Sequence, residues 1–416
     1  MDALDADSGV ADDRQGSGAP LSTHPVWTAL EVFVDELRGL RTMIPVLARA
    51  AKEAEEEARG RRQNVLGGVD HRIPEDDRAR ARHDRGPLHA SMRTALLEPS
   101  VAATGWHFVG RDLSSAALLM MSAHFDRFIG EMIKAALEIK PEVRKSLTIQ
   151  LSVSDIADLP DLKAVYRIAI EKQVEKVLRD SRGGQVDWFV KRGMIPIAKE
   201  LVAELNDVAE LRNLIAHHGG EVTNRIGFGL LERKTTFLRR YRAGETITIT
   251  PDEIALIHDI LFVAAVSIAQ GVWRNLREDQ RGPADKALEV LTYSRLALGE
   301  FTLVQRTLDA MHVHRKTMAD ETKLVNTINL AQAHKWIGDE DGCHAVLERE
   351  SWDRHEGAFQ FAVAVLREEW DPAATLMAQC VEAGQVERAH LEDWPVLRNF
   401  RDTPQFRETF RRSYPG

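Results

Sequence analysis

A chain of 416 residues is long enough for two or three domains of ordinary size. Hydrophobic residues at 44% and charged residues at 29% match a globular protein with a buried core, and aromatics at only 6% favour helices over sheets. A net charge of −9 excludes a polycationic wrapper of nucleic acid and leaves local basic clusters as the route to any polyanion. The two cysteines, Cys343 and Cys380, cannot build a disulfide scaffold and lack CxxC spacing, which points to a reducing, cytoplasmic setting.

The opening residues, MDALDADSGVADDRQGSGAP, are acidic and Gly/Ser-rich, the reverse of a signal peptide's basic start and apolar run. Residues 1–22 are too polar to repay ordering entropy and read as a disordered tail. Over 23–59 the spacing predicts a helical arm, with Leu30, Phe33, Val34, Leu37 and Leu40 on one face. Residues 60–88 are charged, contain Gly and Pro, and lack apolar periodicity, so they read as a polar linker.

A second block, 89–278, has a bundle-core helix near Ser114–Leu137 and a middle region broken by Pro141, Pro160 and Gly183–Gly184. Pro196 suits a first helical position. After it, Ile197, Leu201, Leu205, Val208, Leu211 and Ile215 form a helical stripe that Gly219–Gly220 stops. Residues 235–250, TTFLRRYRAGETITIT, alternate around Ala243–Gly244 and predict a β-hairpin. Thr250-Pro-Asp-Glu253 has capping-box spacing and launches a helix to about Leu276. Its apolar run, Ile254–Trp273, is interrupted by His258, Asp259 and Gln270; it reads as a core helix, and no membrane partner is expected. The last block, 283–416, repeats one design: apolar helix, short acidic turn, apolar helix. Such units bury their faces only against neighbours.

The segment with chemical potential is Glu210-Leu-Arg-Asn-Leu-Ile-Ala-His-His-Gly-Gly220. At a phosphodiester, the His217 imidazole can take a proton from a ribose 2′-hydroxyl or give one to the leaving oxygen. Arg212 can hold the phosphate and stabilise charge on its oxygens, and Asn213 can orient a phosphate oxygen or the imidazole. This chemistry needs no metal and no cofactor, and it leaves a 2′,3′-cyclic phosphate and a 5′-hydroxyl. Asn213 and His217 are four apart and share a helical face, whereas Arg212 lies about 140° from His217. Two such helices facing each other across a dimer axis could bring all three groups into one cleft. The dipole at the helix end favours the protonated imidazole. Comparable Arg–His intervals at Arg78–His83, Arg306–His312 and Arg349–His355 lack this setting of a long amphipathic helix, a glycine stop and a following core helix.

RNLIAHHGG, preceded by that acidic amphipathic helix, resembles the R-N-x-x-x-H signature of HEPN domains. The resemblance covers roughly 100–278 and implies an all-α, HEPN-like helical bundle, with the hairpin as an insertion, dimerising to form a metal-independent endoribonuclease. MMSAHFDRFIGEMI resembles the family's first core helix, which makes Asp126 the candidate acid that orients Arg212 or His217. In one toxin branch a tyrosine stands two residues after the histidine; here that place is Gly219, and the form looks more like HEPN nucleases of bacterial defence loci. The C-terminal block resembles tetratricopeptide repeats and implies a TPR-like α-solenoid that grips a protein partner. It departs in spacing, since Gly299 and Gly338 lie further apart than the usual ~34 residues, and its third unit has no turn glycine.

Each motif also has a plain structural reading. Arg212 and Asp126 could be surface charges with nearby partners, and His217 could hydrogen-bond terminal carbonyls while His218 is merely its neighbour. Arg233, Lys234, Arg239, Arg240 and Arg242 lie beside Phe237 and Tyr241 and are candidates for tracking RNA phosphates, or the solvated faces of a hairpin. No Walker loop, dinucleotide fingerprint, nucleophile elbow or metal-ligand spacing occurs. The expectation is therefore a ribonuclease toxin or phage-defence effector with a regulatory repeat array. A non-catalytic dimeric scaffold is the alternative, and nucleotide binding without cleavage a third reading.

Overall fold

Apolar side chains recur every seven residues through Leu30, Leu37, Ile44, Ala51 and Ala58, a seam suited to packing one long helix along another. In the computed structural model, which describes residues 21, 24–70, 88–145, 148–157, 159–223, 237, 241–276 and 278–414, that seam is buried along α1 (Pro25–Asp70). Its partner is α2 (Leu88–Ile139). Phe33 meets Phe125 and Phe128 at ring-centroid distances of 5.7 and 5.2 Å, and Glu36 holds both Arg127 and His124. From these contacts each helix runs an equal length to the 71–87 connection, so the pair is antiparallel.

Two expectations change here. The stretch expected as a linker over 60–88 is helical at both ends, since α1 continues through Asp70 and α2 begins at Leu88. Nor does the first helix stand apart as an arm: Val26, Leu30, Phe33 and Leu37 join the core that α2 and the later helices share, and His24 stacks on Trp273 at 4.0 Å.

Short helices α3 (Pro141–Lys145) and α4 (Val153–Ile156) lead to α5 (Leu162–Leu178) and α6 (Arg182–Val190). Asp161 and Ser181 cap the last two by accepting from the N–H groups of Ala164 and Gly184, at 2.8 and 3.1 Å. Pro196 does not open the next helix. Residues 194–198 form no helix and cross the central helix α8 (Pro251–Leu276) at Gly271, where an added Cβ would lie 2.5 Å from Ile195 Cγ2 and 3.0 Å from its Cα. Asn275 satisfies the buried Met194 carbonyl at 2.7 Å. Helix α7 (Lys199–His218) then starts at Lys199.

The expected capping box is present at the head of α8: Glu253 N–H donates to Thr250 Oγ1 at 3.2 Å, and Thr250 N–H donates back to Glu253 Oε2 at 2.9 Å. By length and apolarity α8 could cross a membrane, but here it is the buried centre of the bundle, with Ile257, Ile260, Ala264, Ile268 and Val272 all fully enclosed. Most of the first arm of the hairpin expected over 235–250, residues 235, 236 and 238–240, lies outside the described residues. Ala243–Gly244 does turn, with Gly244 at φ +86°, and Ile247 and Ile249 alternate inward. Yet the backbone of 244–247 pairs with the segment leaving α7, through Val222 N–H to the Glu245 carbonyl at 2.9 Å and Ile247 N–H to the Gly220 carbonyl at 2.8 Å.

The C-terminal region consists of helix pairs: α9 (Arg281–Ala297) with α10 (Phe301–Met311), α11 (Asp320–Trp336) with α12 (Glu340–Leu347), and α13 (Gly357–Leu366) with α14 (Trp370–Glu382), followed by α15 (Arg388–Asp393) and α16 (Pro404–Ser413). The turns share one geometry, in which Glu300, Asp339 and Glu369 N–H groups reach back to the carbonyls of Arg295, His334 and Ala364. Gly299 and Gly338 supply the positive φ that this turn needs; in the third pair Glu368 adopts φ +59° despite its side chain. Cys343 and Cys380 are buried free thiols in this second core, and burial pushes both pKa values up.

The two cores meet inside α9. Ala284, Ala287, Leu288 and Leu291 belong to the bundle core, whereas Leu296 belongs to the repeat core. The boundary expected near 283 therefore falls within shared packing. A buried ion pair sits at the same junction: Arg274 of α8 bonds Asp285 of α9, Asp285 Oδ2 accepts the Ala319 N–H at 2.9 Å, and Arg274 Nε donates to Gln270 at 2.9 Å.

Candidate functional site

Helix α7 buries Leu201, Leu205, Val208, Leu211 and Leu214. The stripe expected from sequence holds from Leu201 to Leu211; Ile197 lies before the helix starts, and the last step is Leu214, with Ile215 only half-buried. Opposite this stripe, Asn206, Glu210, Asn213 and His217 follow at intervals of four, three and four, which puts them along one polar face. The N-terminal half of the face is tied down where Asn206 Oδ1 accepts the Gly183 N–H at 3.0 Å; on the other side of the helix Glu204 receives Arg306 of α10 at 2.7 Å.

The C-terminal half is open. Asn213 and His217 are exposed and Arg212 is half-buried, with its Nη1 donating to Asn213 Oδ1 at 3.0 Å. Among the described residues His217 makes no side-chain hydrogen bond or ion pair, and neither does the exposed His218. Gly219 ends the helix in the left-handed region at φ +59°, and its N–H, like that of Gly220, donates to the Leu214 carbonyl. This cap occupies the Leu214 carbonyl with backbone donors, so neither histidine is needed to satisfy it. The arrangement thus offers a guanidinium already joined to an amide, with an imidazole one turn further along the same face.

Asp126 is placed differently from expectation. Its carboxylate is held by Arg182 Nη1 at 2.7 Å, and it does not orient Arg212 or His217. Arg182 is half-buried, lies 4.8 Å over the Phe125 ring, and also donates to Gln185 at 2.6 Å. It directly precedes Gly183, the contact of Asn206. Asn206 precedes His217 by eleven residues, about 16 Å along a helix axis, so Asp126 braces the far end of the polar face. Sequence reasoning missed Arg182 because nothing local distinguishes it; only the cap residue Ser181 before it marks the helix start.

Of the basic cluster, Arg233, Lys234, Arg239 and Arg240 lie outside the described residues. Arg242 is exposed at the turn, its backbone N–H donating to Glu245 at 2.8 Å, while Tyr241 bridges to the Thr248 backbone carbonyl at 2.8 Å and Phe237 is buried. Among the described residues no group of three or more His, Cys, Asp or Glu side chains could hold a metal ion.

Comparison of this chain with protein-family models, with curated proteins and with solved structures finds no match in any of the three.

Proposed function

We propose that this protein is a metal-independent endoribonuclease of HEPN type, working as a dimer in which two copies of the α7 C-terminal face converge on one scissile phosphate. The observation that carries the reading is the open, glycine-capped end of α7, where Arg212, Asn213 and His217 are free to meet a ligand while the rest of the helix is anchored. His217 of one copy takes the 2′-hydroxyl proton as that oxygen attacks phosphorus. Arg212 stabilises the charge gathering on the phosphoryl oxygens, and the departing 5′ oxygen receives a proton from the other copy's imidazole. The products are a 2′,3′-cyclic phosphate and a 5′-hydroxyl.

RNA is the substrate in this reading, Arg242 and its neighbouring basic residues contact its backbone, and the TPR-like repeats bind a protein partner or control activation. The biological role is that of a toxin or phage-defence effector. Purified protein incubated with total RNA and tRNA in the presence of chelator tests the enzyme. Wild type is expected to cut, Arg212→Ala and His217→Ala to lose cutting with unchanged circular dichroism, and mapped ends to carry the cyclic phosphate. Cleavage unaltered in both variants rejects the proposal.

A second reading, a non-catalytic dimeric scaffold, is favoured by the net charge of −9 and by the large share of the chain given to helical pairs. It predicts a stable dimer without ribonuclease activity from pH 5 to 9 and a protein that co-purifies with the repeats.

A further inference from the structure

The corner where α5 turns into α6 forms a hollow of about 570 Å³ open to solvent, lined among others by Gln173, Lys176, Arg179, Asp180, Trp188 and Arg192. That volume falls within the range of small-molecule sites. Its polar inventory is unbalanced in a specific way. Arg179 is committed to Glu175 at 3.1 Å, and the Asp180 carboxylate is folded back to accept the Ser181 N–H at 2.7 Å. Lys176 and Arg192, by contrast, have no carboxylate partner among the described residues.

Arg192 is half-buried and lies 4.3 Å over the Trp188 ring; only its Nη1 is used internally, donating to the Trp188 carbonyl at 2.8 Å. Its Nε is buried without an acceptor, as is the Trp188 indole N–H. Desolvation lowers the Arg192 pKa, the signature of a cation held away from water with no anion beside it. Gln173 is 94% enclosed, with 6% of its surface exposed, yet its carboxamide makes no hydrogen bond among the described residues. The Arg192 Nε and the Trp188 N–H are thus two buried donors without acceptors beside one hollow, and leaving buried polar groups unpaired is costly.

We infer that this hollow binds a phosphorylated small molecule of mononucleotide size, its phosphate taken by Arg192 and Lys176 and its planar head group by Gln173 and the Arg192–Trp188 stack. Two unpaired cations match a dianion better than a single carboxylate, and a guanidinium presents parallel donors at phosphate spacing. A guanidinium already stacked on an indole offers its outer face to a second ring, and a carboxamide can both donate to and accept from a heterocycle edge. The inference is independent of the nuclease reading, since no residue of α7 lines the hollow.

Calorimetric titration of the full chain tests it, with AMP, CMP, ribose 5-phosphate, inorganic phosphate and a hexanucleotide RNA as probes. A mononucleotide is expected to bind at least about tenfold more tightly than ribose 5-phosphate or phosphate, since the head-group contacts are then added to the ionic ones. Arg192→Ala and Lys176→Glu should each weaken it by about tenfold or more, as expected for loss of one hydrogen bond to a charged group. Lys176 is exposed, so its variant should keep the wild-type melting curve even if Arg192→Ala loosens Trp188. Arg212→Ala should leave binding unchanged. The inference is overturned if no mononucleotide binds at millimolar concentration, if phosphate binds as tightly as AMP, or if Lys176→Glu retains full affinity. It is equally overturned if Arg212→Ala abolishes binding, or if the hexanucleotide binds more tightly than AMP with the same sensitivity to Lys176→Glu.

Discussion

Replacing Asp285 by alanine removes the only carboxylate hydrogen-bonded to Arg274 among the described residues, and both members of the pair are buried, at 1% and 4% exposure. The guanidinium would be left charged in the junction, with Nη1 already lacking an acceptor and only the Gln270 contact remaining. The Ala319 N–H would lose its acceptor as well. Stranding one partner of a buried pair costs about 3–5 kcal/mol, a large share of the roughly 5–15 kcal/mol that holds most proteins folded. Urea unfolding followed by circular dichroism reads this as a lower transition midpoint. The double variant Arg274→Met, Asp285→Leu should recover most of the loss, short of about 1–3 kcal/mol for the orphaned Ala319 N–H. An Asp285→Ala loss below about 1 kcal/mol, or a double variant no better than the single, would refute the argument that the cost is that of an unpaired buried charge.

Three further substitutions probe the buried histidine and the two constrained glycines. His314 is buried near Arg274, and desolvation pushes its pKa from 6.5 down to about 4, so the native state holds it neutral. Its contribution is full above pH 6.5 and is lost as pH falls toward 4, because the unfolded chain takes up the proton first; the loss reaches about 3 kcal/mol. His314→Gln should flatten stability between pH 6.5 and 4, and an unchanged slope would count against this. Gly271→Ala forces the backbone at Ile195 off α8 and should cost about 1–3 kcal/mol or more, measured by denaturation; a neutral result would show the 194–198 segment free to move. Gly219→Ala has open space around it but a left-handed φ, so the expected cost is about 1–2 kcal/mol, with faster amide exchange over Ala216–His218.

Where the chain's local chemistry decides the outcome, the sequence was readable. The Thr250–Glu253 box, the Gly219 stop and the α7 stripe from Leu201 to Leu211 all appear as the residue pattern implies. What escaped was decided at a distance. The α1 helix runs past Arg59 to Asp70 through a stretch whose Gly67, Gly68 and lack of apolar periodicity read as a linker. Alternation over 246–250 marked Ile247 and Ile249 as inward-facing, yet period two says nothing about which backbone pairs with it, and the partner came from Gly220–Val222. At the candidate site, the exposure of Asn213 and His217 was legible from helical phase. The capture of Asp126 by Arg182 was not, since the two are 56 positions apart.

The shared packing within α9 has a practical corollary for anyone dissecting this molecule. A bundle cut at residue 282 would lose Ala284, Leu288 and Leu291 from its own interior, and a repeat array started there would carry the same side chains bare to water. Neither fragment is a portable module. Any cut there also severs the tie between Arg306 of α10 and Glu204 of α7, so the first helical pair is fastened to the bundle by charge as well as by apolar packing.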